Sequence, residues 1–62
     1  MKTNDEMLME IEDNLHNMQQ MERHAWEKYD DTDDNCFLSA LTYLGMARDD
    51  LARVKKLYTE KF

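Results

Sequence analysis

Four features of this sequence could do chemistry: two histidines, an aspartate-rich segment, one cysteine and one glutamate among apolar residues. His16 and His24 are eight residues apart. On a helix that is about 12 Å along the axis with a rotation of about 80°, too far to share a metal. Neither Glu-x-x-His nor His-Glu-x-x-His occurs, so both read as surface histidines. Asp31-x-Asp33-x-Asn35 repeats the opening of a calcium-binding EF-hand loop. That loop needs glycine where this chain has Cys36 and a bidentate glutamate where it has Thr42, so an acidic helix cap is the better reading. A helix start lowers the pKa of the Cys36 thiol, whereas nearby aspartates raise it. No histidine is close in sequence to act as its base, and Cys36 reads as a small core or interface residue. Glu22 interrupts an apolar stripe. In a hairpin turning near residue 32 it comes opposite Thr42 and Tyr43, where it could accept from a hydroxyl or set the register. No phosphate-cradling glycine loop or dinucleotide fingerprint is present. The chain is therefore expected to be no enzyme and to hold no cofactor or metal.

The elements that position these residues are set by composition. Sixty-two residues make one small domain, and a chain of that size hides only about 60% of its unfolded surface on folding. Such scaffolds usually need a staple. One cysteine cannot close an internal disulfide, and no Cys/His cluster offers a structural zinc. Oligomerisation or a partner chain is the remaining route. With no proline and one glycine, an all-β domain with many turns is excluded. No apolar run approaches a membrane span, the first residues read as no secretory signal, and a free thiol suits a reducing cytoplasm.

The net charge of −6 is unevenly placed. Residues 1–29 carry a net of −4 and residues 30–36 another −4, whereas 37–62 carry +2. An acidic body disfavours non-specific binding to a phosphate backbone. The only basic group is Arg48, Arg53, Lys55, Lys56 and Lys61, with Tyr58 nearby. It suits the negative end of a helix dipole and intrachain pairing. As an RNA-binding patch it would serve an alternative reading of the chain.

Thr3 and Glu6 form a capping-box pattern. Leu8, Ile11, Leu15, Met18, Ala25 and Tyr29 then recur at helical spacing, with one missed beat at Glu22. They predict a first helix over about 4–29. Asp30, Asp31, Thr32 and Asp33 compete with helical hydrogen bonding and predict a turn over 30–33. Phe37, Ala40, Leu44, Ala47, Leu51, Val54 and Tyr58 alternate steps of three and four. They predict a second helix over about 34–60 whose seam faces the first. The fold expected is all-α: an antiparallel two-helix hairpin.

One feature exceeds a hairpin's needs. Residues 36–47 include nine apolar residues and no charge. Leu38, Leu41, Gly45 and Ala52 make a second strip beside the seam, and one facing helix covers only one stripe. Mid-helix glycine costs about 1 kcal/mol against alanine, so Gly45 could serve close approach of another backbone. Phe37, Leu38, Leu41, Leu44, Gly45 and Ala52 are thus the expected oligomer or partner interface. The expected assembly is a four-helix-bundle homodimer. Met9, Glu10 and Asp13, with Asp30, Asp31, Asp33 and Asp34, make the expected acidic or adaptable partner face. Flexible thioethers such as Met9 suit changeable contacts.

Two resemblances bear on function. Size and architecture are similar to the plasmid Rop family, which implies an RNA-binding bundle. The chain as a whole resembles the small accessory proteins of the lambdoid bacteriophage exo–xis early region. The likeness runs from Met-Lys-Thr-Asn-Asp-Glu through Met-Glu-Ile-Glu-Asp-Asn-Leu-His to Tyr-Asp-Asp-Thr-Asp-Asp. This second resemblance implies an early protein of the bacterial host cytoplasm that favours lytic development and perturbs host regulation. Its expected partners are a second copy of itself and a bacterial or phage protein, with nucleic acid the lesser alternative and no membrane.

Overall fold

Cap chemistry decides where this chain starts and stops being helical. A computed structural model describes residues 1–61. Its two helices are α1 (Asn4–Thr32) and α2 (Asn35–Glu60), folded into an antiparallel hairpin 44 Å long and 15 Å across. Thr3 has extended backbone, and its Oγ1 accepts from the Glu6 amide at 3.2 Å. The same hydroxyl donates to the Glu6 carboxylate at 3.1 Å. Glu6 thus closes the capping box on the hydroxyl of Thr3. Asp5 and Glu6 also place negative charge at the positive end of the α1 dipole.

The turn is shorter than the sequence suggests. Asp30, Asp31 and Thr32 remain helical, and only Asp33 and Asp34 lie between the helices. The expected break at 30–33 fails because Thr32 satisfies itself within the helix, its hydroxyl donating to the Lys28 carbonyl at 2.7 Å. Asp33 then ends α1 in the left-handed region at φ 53°, with its amide on the Tyr29 carbonyl. That is a conformation aspartate tolerates better than most residues. Asp34 caps α2, accepting from the Cys36 amide at 3.0 Å.

On α1 the inward face matches the sequence reading. Ile11 and Ala25 are buried, and Leu8, Leu15, Met18, Glu22 and Tyr29 are half-buried. On α2 the inward face departs from the expected seam at two positions. Phe37, Ala40, Leu44, Leu51 and Tyr58 of the expected seam are half-buried, as are Leu41, Arg48 and Lys55, while Ala47 and Val54 are exposed. Arg48 and Lys55 take the inward places that the apolar count assigned to Ala47 and Val54. Two ion pairs accompany this placement. Arg48 Nη1 stands 3.1 Å from Glu22 Oε1 and donates to Oε2 at 3.2 Å. Lys55 Nζ stands 3.3 Å from a Glu12 carboxylate oxygen. Their long stems cover the seam while their heads meet the carboxylates of α1.

Gly45 has open space where a side chain would sit, with nothing within 4 Å of an added Cβ. It therefore serves no close approach within the hairpin. Gly45→Ala is expected to raise stability by about 1 kcal/mol through helix propensity alone. Urea unfolding checks this, and a loss of stability would show a neighbour against Gly45 that the lone hairpin lacks.

Candidate interaction site

The hairpin leaves much of its apolar surface open. Among the described residues no large side chain is fully buried, and only Ile11 and Ala25 form a core. Large apolar residues stand exposed on both helices: Met21 at 55%, Trp26 at 52%, Tyr43 at 71% and Leu57 at 49%. Trp26 meets Tyr29 edge to face with ring centroids 6.3 Å apart, so part of its exposed indole is held in place.

The residues expected to form an interface divide between two surroundings. Phe37, Leu38, Leu41, Leu44 and Gly45 are half-buried, and Ala52 is exposed. Phe37, Leu41 and Leu44 sit on the seam with α1 and spend much of their surface there. Conversely, Tyr43, Val54 and Leu57, which lie outside the expected interface, are open. The missed signal was Glu22: a carboxylate inside the α1 stripe calls for a cation opposite. Placing Arg48 there turns Ala47 and Val54 outward.

Glu22 does not meet Thr42 and Tyr43, as expected from the longer turn. Tyr43 is exposed, and Glu22 pairs with Arg48 instead. Glu22 Oε1 lies close to Arg48 but accepts no hydrogen bond, so the pair has one hydrogen bond, to Oε2, beside an ion-pair contact at Oε1.

The acidic and methionine face is open throughout. Met9 is 67% exposed, and Glu10, Asp13, Asp30, Asp31, Asp33 and Asp34 are exposed too. Glu10 is paired with Lys2. The cap holds the Asp34 carboxyl below its ordinary value, because the Cys36 backbone amide and then the Cys36 thiol donate to it. Its stabilising effect is therefore fully present above the unfolded value of 3.8 and lost as pH falls through the lower folded value. Asn caps as well as Asp, so Asp34→Asn should flatten the acid limb of melting temperature against pH while leaving the neutral value nearly unchanged. Circular-dichroism melts between about pH 6 and about pH 2.5 check this, and an unaltered acid limb would remove Asp34 from it.

Cys36 is exposed, which removes the core half of its core-or-interface reading and leaves the interface half. Partial desolvation of its sulfur, and then the Asp34 carboxylate, hold the thiol above its ordinary value. Little thiolate is present at neutral pH, and the group is a weak nucleophile.

The basic group is largely neutralised within the chain. Arg48 and Lys55 face Glu22 and Glu12, and Arg53 stands 3.4 Å from Asp50. Lys56 and Lys61 are exposed. An open indentation lies along α1, lined by His16, Gln19, Gln20 and Arg23, with His16 Nε2 3.1 Å from Gln20 Nε2. Among the described residues no three His, Cys, Asp or Glu side chains converge as metal ligands, and no helix is long and apolar enough to cross a membrane. No protein-family model, curated protein or solved structure matches the chain.

Proposed function

We propose that this chain is a small, acidic, non-enzymatic interaction protein that pairs with a second copy and acts on another protein by contact. Its likeness to the early accessory proteins of lambdoid phages supplies the setting: the bacterial cytoplasm, early in infection, with an effect that favours lytic development and perturbs host regulation. The supporting observation is the surface. Among the described residues only Ile11 and Ala25 are buried, while Trp26, Tyr43, Met21 and Leu57 are about half or more exposed, so large apolar groups are free for another molecule. Pairing of Arg48, Lys55 and Arg53 within the chain weakens a phosphate-binding role, since cations already neutralised by carboxylates release fewer counterions.

The test is capture of partners by tagged protein from bacterial cells, with and without nuclease, read by mass spectrometry. A bacterial or phage protein retained after nuclease treatment is the expected result. Recovery that vanishes with nuclease would favour the RNA-binding alternative and contradict contact with protein.

A further inference from the structure

We propose that a second copy of this chain docks on the open flank of α2 formed by Tyr43, Ala47, Val54 and Leu57, with half-buried Ala40 at its inner edge, the two α2 helices running antiparallel about a two-fold axis at Ala47. This deepens the self-pairing proposed above and rests on it. The flank is defined by the rotation of α2. Arg48 and Lys55 follow Ala47 and Val54 by one residue, about 100° around the helix, and are held toward α1 by Glu22 and Glu12. Ala40, Tyr43, Ala47, Val54 and Leu57 recur at steps of three and four; Tyr43, Ala47, Val54 and Leu57 are exposed, and half-buried Ala40 marks the edge where this side meets the seam. Tyr43 is 71% exposed and Leu57 49%. Met21, nine residues and about half a turn around α1 from Glu12, borders the same side and is 55% exposed.

Charge selects the occupant and its direction. Asp30, Asp31, Asp33 and Asp34 crowd one end of the hairpin. Parallel α2 helices would bring two such ends together, which like-charge repulsion opposes. The antiparallel pairing places them at opposite ends of a body 44 Å long. Ala47 is also the middle of α2, which runs Asn35–Glu60. An axis there overlaps the helices over their full length and brings Lys61 abreast of Asp33 and Asp34 of the other copy. The same register sets Ala40 against Val54 and Ala47 against itself, small residues that let the helices approach while Tyr43 and Leu57 fill the sides. Residues 40–57 span about 26 Å of helix. A standard interface takes roughly 800 Å² from each partner, about a sixth of the 5050 Å² that this chain exposes.

Disulfide trapping tests this in a Cys36→Ser background, with Ala47→Cys on the proposed axis and Ala52→Cys on the opposite flank as the control. Sedimentation of the reduced proteins runs alongside. The expected result is a dimer at high micromolar concentration that cross-links rapidly on mild oxidation through position 47, and at least tenfold more slowly through position 52. Tyr43→Asp combined with Val54→Asp should weaken dimerisation at least a hundredfold. Helical content by circular dichroism at high concentration keeps a folding failure distinct from a lost contact. A dimer that cross-links through position 52 and not 47 overturns this face while leaving self-pairing in place. A folded monomer at every concentration overturns both.

Discussion

Ile11→Ala is expected to lower stability by about 3 kcal/mol, the usual scale for removing three carbons from a buried aliphatic position. In most domains such a change is one loss among many. Here Ile11 is 3% exposed and shares the core with Ala25 alone among the described residues. No ring of other fully buried side chains stands ready to close the space, so the cavity and transfer penalties both apply. Leu8, one turn earlier on the same stripe but only half-buried, is expected to lose less than half as much on truncation to alanine. Urea unfolding of both variants at one protein concentration measures the contrast. Equal losses would mean that Ile11 is no more central than its neighbours.

The second large effect is an asymmetry between the members of the Glu22–Arg48 pair. Arg48→Ala removes the cation and the aliphatic stem that covers the seam, and leaves the Glu22 carboxylate, whose side chain is 19% exposed, without its partner. Breaking a buried pair costs about 3–5 kcal/mol; with Arg48 40% exposed, water relieves part of this, and about 2 kcal/mol is expected. Glu22→Leu removes the carboxylate instead. The leucine extends the stripe of Met18 and Ala25, and Arg48 can turn its head to solvent. That change should be neutral or stabilising, by up to about 1 kcal/mol. Making both changes together completes a double-mutant cycle that isolates the coupling. Equal losses from the two single changes would contradict the reading of Arg48 as both cover and counter-charge.

The same pair shows what the sequence could and could not reveal. The α1 stripe was legible because its inward residues are apolar apart from Glu22, and periodicity finds apolar residues. The α2 seam is legible at Phe37, Ala40, Leu44, Leu51 and Tyr58 and displaced at Ala47 and Val54. Its two sides are nearly equally apolar, and the choice between them falls to Arg48 and Lys55, which a hydropathy count sends outward. Long cations can lie along a seam with their charges at its edge, and the two carboxylates of α1 hold them there. The turn was misplaced for a similar reason. Asp30, Asp31 and Thr32 are weak helix formers taken singly. A hydroxyl bonded back to Lys28 and a left-handed cap at Asp33 nevertheless carry α1 three residues further. Excess apolar surface on α2 could be read from composition. The flank left uncovered could be assigned only once the two ion pairs had fixed its rotation.

Thermal unfolding as a function of protein concentration, followed by circular dichroism, tests most directly the claim that this hairpin completes itself by pairing. Association that stabilises only the folded chain makes the melting temperature depend on concentration. Raising the concentration from about 2 µM to about 200 µM contributes up to about 2.7 kcal/mol per mole of dimer by mass action. The account predicts a melting temperature that climbs by several degrees across that range. A melting temperature that stays constant, with a monomer mass by sedimentation at the upper concentration, would contradict it.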